Sequence, residues 1–205
     1  MSYVIPFSNG RKGSAVRPAS SQSASSQTIV AQVEAYWTDR CKGNRVPARA
    51  DIDPRGIEAA LRYAFVLERV APGIARFRLA GGHLSDLMGM DVRGMPLTTM
   101  MDPDARVGLV TPLEAVFKKP ATAKCALISP RNIARPAIDA TMALFPLTDG
   151  NGEITRALGC LVSDTRIGRT PRRFSLADAQ VTEIGAPRPK VYTNGAHLRL
   201  VTSND

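Results

Sequence analysis

The sequence has no run of about 18 apolar residues, and its first 27 residues are rich in Ser, Ala and Gln rather than apolar. Nothing in it therefore predicts a spanning segment or an export leader; no membrane partner and a cytoplasmic location are the expectation. Cysteine is scarce. Cys41, Cys125 and Cys160 are odd in number, widely spaced and lack a CxxC pair, which argues against a disulfide framework and a zinc site and predicts reduced, partly buried thiols. Histidine is scarcer still, at two, and a single body histidine without a partner specifies no metal site. HExxH, a phosphate loop and a Ser/His/Asp order are also missing. The expectation is a protein that is not an enzyme, with no catalytic residues, no metal and no evident cofactor.

Positive charge is abundant, with a net +9. Its distribution matters more than its sum. Residues 1–27 carry three basic residues and no acids, residues 166–205 carry seven basic against three acidic, and the body between them is nearly neutral. The first segment, with its SSQSASSQ run, has nothing to bury and is expected to be a disordered tail. Residues 28–165 form the expected domain, and 166–205 a basic extension.

The most informative stretch is Tyr63 to Gly94. Tyr63 to Val70 is rich in β-branched and aromatic residues, Ala71-Pro72-Gly73 supplies a turn, and Ile74 to Ala80 alternates Ala75, Phe77 and Leu79 with Arg76 and Arg78. That predicts a hairpin with one core face and one wet face. Leu84, Leu87 and Met88 then fall at helical spacing before Gly89, a suitable terminator.

RFRLAG, a short apolar helix and GMDVRG together resemble the small bacterial PAS domains called PAS family 5. Further matching residues lie upstream (Tyr36-Trp37, Val46 to Asp51, Asp53-Pro54) and downstream (Phe145 to Gly150, Leu158-Gly159), so the likeness covers roughly residues 28–165. It implies an α+β fold in which a five-stranded antiparallel sheet carries short helices on one face, joined to an N-terminal amphipathic helix.

The rest of the chain agrees with that order. Ile29, Val30, Val33, Tyr36 and Trp37 form one helical stripe starting at Thr28. The stripe could pack on its own domain or pair two protomers. Because aromatic anchors favour interfaces, Val33, Tyr36 and Trp37 are the candidate contacts of a homodimer. Asp53-Pro54 predicts a short helix buried along Ile57 and Leu61, and Asp102-Pro103 a longer one to Phe117 or Lys118 with a stripe of Val107, Val110, Glu114 and Phe117. Pro112 predicts a kink or break in it. Three strands follow, Thr122–Ile128, 136–147 and 154–163, the last two joined by Asp149-Gly150-Asn151-Gly152. The middle strand is apolar on both faces, so something must cover its outside. Beyond it, 175–184 could form a helix and 191–201 a small hairpin.

In the PAS family a ligand, when present, lies between the sheet and the middle helices. The resemblance thus makes Phe77, Leu79, His83, Leu87, Met88, Met100 and Met142 the pocket candidates; the methionines clustered there fit plain core packing first and a small apolar ligand second. His83, just after two glycines, is expected to be a solvent-facing cap rather than a haem ligand, and none of the cysteines sits in a flavin-photosensor motif. The resulting expectation is a single-domain bacterial PAS sensor or adaptor that binds a small molecule or other signalling proteins and regulates signalling. The alternative is a nucleic-acid-associated regulator acting through its basic tails. Without a helix-turn-helix, zinc finger or RNA motif, nucleic acid is the less favoured partner.

Overall fold

A computed structural model of the chain describes residues 2–5, 24–43, 45–163 and 166–185. Among the described residues seven strands form one sheet: β1 (Ser2–Ile5), β2 (Ala64–Ala71), β3 (Ile74–Ala80), β4 (Ala121–Ser129), β5 (Ile138–Thr148), β6 (Ile154–Ser163) and β7 (Ser175–Glu183). Their order is β1-β7-β4-β5-β6-β2-β3, and every pairing is antiparallel. The five strands β2 to β6 are those expected, and both hairpins, about Pro72 and about Asn151, lie in this sheet. Asp149 builds the second turn, its Oδ1 accepting from the amides of Asn151 and Glu153.

Two of the strands come from segments expected to lie outside the domain. Ser2–Ile5, within the supposed structureless tail, pairs with β7. Ser175–Glu183, read as a helix from its Ser-Leu-Ala-Asp start, is β7 and pairs along the length of β4. Ala179 and Val181 alternate with Gln180 and Thr182, so one face can be buried, and the open β4 edge supplies the hydrogen bonds that a helix would have made internally. The hairpin expected over 191–201 lies outside the described residues.

Helix α1 (Ala24–Arg40) begins four residues earlier than its sequence cap suggests. A short 3-10 helix, Pro54–Ala60, follows, and its expected cap is present, with the Asp53 side chain accepting from Arg55 N. Helix α2 (Gly82–Met88) ends as expected on Gly89, whose φ of +71 is one that glycine adopts without steric penalty. Helix α3 (Arg106–Lys118) runs unbroken through Pro112, so the break lies instead at its start, where Pro103–Ala105 is a 3-10 turn. The buried side of α3 is Leu109, Pro112, Leu113, Val116 and Phe117, and Val107 is 80% exposed. The expected stripe was rotated because proline was not counted as a core residue; here its ring packs inward at i+3 from Leu109.

The sheet is covered on both faces. On the inner face α2, α3 and the loop through Leu97 and Met100 close a large cluster that includes Phe65, Leu67, Phe77, Leu84, Leu144 and Val181. On the outer face α1 and the 52–60 segment bury Val66, Phe145, Leu147, Leu158 and Val162. The apolar outer side of β5 is therefore covered by the chain's own first helix. Gly159 permits this layering at one point, since a Cβ there would run into the Phe65 ring.

Candidate functional site

Five of the residues expected to line a ligand chamber are packed together. Phe77, Leu87, Met88, Met100 and Met142 are all buried in the inner cluster and belong to one continuous packing network. Phe77 meets Phe65 edge-on, with ring centroids 5.4 Å apart. These five residues lie on the inner face, and their side chains pack on one another and their neighbours.

Leu79 does not join them. Val66 pairs with Leu79 but Leu67 with Phe77, so Arg78 is an extra residue, a β-bulge in β3. Strict alternation places Phe77 and Leu79 on the same face; the bulge turns Leu79 to the outer face, where it is 49% exposed. There it forms one wall of a cleft of about 250 Å³, with Ile52, Ile57, Leu61, Val66 and Leu158 among the others. Leu61, expected to be buried, is an open part of this wall. Two arginines also line it. Arg93 is held by Asp91, which accepts at 2.8 Å and 2.6 Å, whereas among the described residues Arg49 offers its guanidinium only to the Ile52 carbonyl, at 3.4 Å. The Asp91 carboxyl is held below its ordinary range by the Arg93 hydrogen bonds.

Beside the cleft, Glu68 sits opposite Arg76 on β3 and Arg156 on β6, with Arg78 also within 3.0 Å. Its carboxyl is lowered, chiefly by the Arg76 hydrogen bond. One carboxylate among three guanidiniums leaves this face positive. A second, broader and more open hollow of about 660 Å³ is lined by Asp86, Asp91, Arg93 and Ser85.

His83 is buried rather than solvent-facing. Its ring tilts over Tyr63 at 4.9 Å and shares a 3.1 Å hydrogen bond, through Nε2, with Ser163 Oγ. Burial, and then the nearby Arg62 charge, push its pKa down to about 4, so the ring is neutral at physiological pH. A partner 80 residues away in sequence left no local signal. Burial likewise pushes the thiols of Cys125 and Cys160 up to about 12, which makes both poor nucleophiles. Among the described residues no group of three or more His, Cys, Asp or Glu could hold a metal ion, and no helix is long and apolar enough to cross a membrane.

The candidate dimer contacts are consumed within the chain. Val33, Tyr36 and Trp37 are buried; Trp37 Nε1 donates to Pro146 O at 2.9 Å, and its ring packs 5.6 Å from that of Phe145. The Tyr36 hydroxyl donates to Asp53 O at 2.9 Å and accepts from Asp53 N at 2.8 Å. Aromatic anchors are equally suited to fixing a helix on its own sheet, and here they do that.

No curated protein matches the chain. Among solved structures, a light-oxygen-voltage domain studied with a flavin analogue aligns with 55% of this chain and 84% of its own at 15% identity and a TM-score of 0.43. The light state of the Aureochrome1 blue-light photoreceptor domain aligns with 55% and 88% at 17% identity and a TM-score of 0.38. An RNA-binding light-oxygen-voltage receptor aligns with 79% of this chain and 38% of its own at 14% identity and a TM-score of 0.37. The PAS domain family model PAS_5 matches residues 24–162, from the first residue of α1 to the penultimate residue of β6. The chain belongs to the PAS domain family, and to the division of it that its Tyr63–Gly94 motif indicates.

Proposed function

We propose that this chain is a non-catalytic PAS adaptor of signalling, and that it recognises a protein partner through the outer-face cleft rather than a small molecule in the inner chamber. The observation that carries this reading is the contrast between the two faces. The inner chamber is packed with Phe77, Leu87, Met88, Met100 and Met142, while the outer cleft stays open beside Leu61 and Leu79. Its volume of about 250 Å³ is below the roughly 300–1,000 Å³ of a cofactor-sized pocket. It suits one or two side chains of a docking segment. The positive surroundings of Arg49, Arg76, Arg78 and Arg156 select a segment in which an apolar anchor is flanked by carboxylates. The partner is another signalling protein and the setting the bacterial cytoplasm. A homodimer, on this reading, uses a surface other than Val33, Tyr36 and Trp37.

Panning a random peptide library against the full chain tests this directly. The expected products are acidic peptides with one branched or aromatic anchor, whose binding falls about tenfold or more with Leu79→Asp and with Arg49→Gln. Peptides indifferent to both substitutions sink the cleft as the site. Native mass spectrometry with an absorption spectrum is the second arm: the polypeptide mass alone is expected, and a stoichiometric ligand retained by the inner face overturns the choice of face.

A further inference from the structure

A dense cluster of positive charge lies at the end of the sheet where two loops meet. Residues 130–137 close the β4–β5 hairpin, and 166–174 run beside it into β7. Arg169 N donates to Ala134 O at 3.1 Å. Together, residues 129–137 and 166–174 hold six arginines, no lysine and no carboxylate; the flanking acids in sequence are Asp139 and Asp164. Arg131, Arg166, Arg169 and Arg173 are exposed and Arg135 half-buried, and none of these five makes an ion pair among the described residues.

The sixth, Arg172, is 1% exposed and pins the loops together. Its guanidinium donates to Ile167 O at 3.2 Å, Ser129 Oγ at 3.0 Å and Pro136 O at 2.6 Å, while its backbone N–H donates to Leu87 O at 2.7 Å. Among the described residues only neutral groups accept from it, and its Nε has no partner. A carboxylate at this point would cancel the charge; with carbonyls and a hydroxyl instead, the buried cation adds to the field of the five outer ones.

At the tip of the first loop stands Ile133, 88% exposed. The turn that presents it is stiff. Asn132 and Arg135 exchange both backbone hydrogen bonds at 2.9 Å, Asn132 Oδ1 accepts from Ile133 N at 2.7 Å, and Ala134 takes a φ of +57. An apolar residue is thus held outward in a collar of guanidiniums.

We infer that this end of the sheet is a peripheral docking surface for an anionic lipid bilayer, separate from the cleft and not dependent on it. Guanidiniums engage phosphate groups in a bidentate manner, and each cation close to a negatively charged leaflet adds to the attraction. Ile133 then meets the boundary between headgroups and acyl chains. A nucleic acid would satisfy the arginines but gives Ile133 nothing to bury it, and neither loop has an exposed aromatic on which bases could stack, since Phe174 is buried.

Co-sedimentation of the full chain with vesicles decides the matter. Binding is expected to vesicles of phosphatidylcholine mixed with phosphatidylglycerol and not to phosphatidylcholine alone, and to weaken as salt is raised. Ile133→Ser and the pair Arg131→Gln with Arg135→Gln should each reduce it roughly tenfold, with unchanged thermal melting as the control for folding. No binding to anionic vesicles overturns the inference. Binding that both variants retain also overturns it, assigning the attraction to residues 1–27 or 186–205 instead. Oligonucleotide binding lost with the arginine pair but not with Ile133→Ser, without vesicle binding, overturns it in favour of nucleic acid.

Discussion

At the scale of single residues, His83 makes the sharpest prediction. Its folded pKa, about 4, is depressed below the ordinary value of 6.5, so between these limits the unfolded chain binds the proton that the folded chain refuses. The His83 contribution is unchanged above pH 6.5, falls as pH drops towards 4 and levels off below that, with a total loss of up to about 3 kcal/mol. Urea unfolding at a series of pH values should show this slope in the parent and lose it in His83→Gln. The carboxylates act lower down. Glu114 is half-buried, and desolvation alone would raise it, but the Gly73 amide, Lys118 and Arg69 outweigh that and lower it. Its contribution is therefore present above the ordinary carboxylate range and lost as pH falls through its lowered value. Ala134 gives a second residue-scale expectation: with φ at +57, Ala134→Gly should stabilise the hairpin tip by up to about 1 kcal/mol in thermal melting. Neither property was legible in the sequence. The Gly81-Gly82 pair before His83 suggested a surface cap, and only the return of β6 brings Ser163 over the ring.

At the scale of elements, legibility tracked the range of the interactions involved. The α1 stripe, the Asp53 cap, the Gly89 terminator and the Asp149 turn depend on neighbours a few residues away, and each appears where its residues placed it. The β3 bulge and β7 do not, because what decides them is a strand far off in sequence: β2 and β6 set the register that expels Arg78, and the β4 edge recruits Ser175–Glu183. The role of α1 was left open by its stripe, since a helix that buries Trp37 on its own sheet and one that buries it on a partner have the same pattern. A measurement separates them. Trp37→Ala should cost about 3–5 kcal/mol in chemical denaturation, with a midpoint that depends on protein concentration no differently from the parent's; a concentration dependence present in the parent and lost in the variant contradicts an intramolecular role. In α3, Pro112 lacks the N–H that would bond the Gly108 carbonyl, yet its ring is buried beside Leu109 and Leu113. Substitution by Ala returns the hydrogen bond but leaves a gap in the core, so Pro112→Ala is expected to change stability by less than the roughly 3 kcal/mol of a proline in an unpacked helix interior.

At the scale of the whole molecule, the match to the PAS family ends at residue 162, but the hydrophobic core does not. Phe174, Ala179 and Val181 belong to the inner cluster, and α3 lies partly over β7. A chain cut after Ser163 should therefore expose the β4 edge and the inner face beneath α3, and should show increased binding of a hydrophobic dye and faster amide exchange in α3 than the full chain. Equal exchange in the two would show that β7 is an ornament on a self-sufficient core.

The extra residue in β3 has a consequence for lineage as well as shape. Because Leu79 already pairs with Val66 and Phe77 with Leu67, removal of Arg78 should make these two pairs consecutive in a regular ladder, leaving the leucine outward and the cleft in place. Cousins of this protein that lack this one residue would then keep the same outward leucine, and peptide capture retained in a chain lacking Arg78, with its cooperative melting preserved, is the sign to look for.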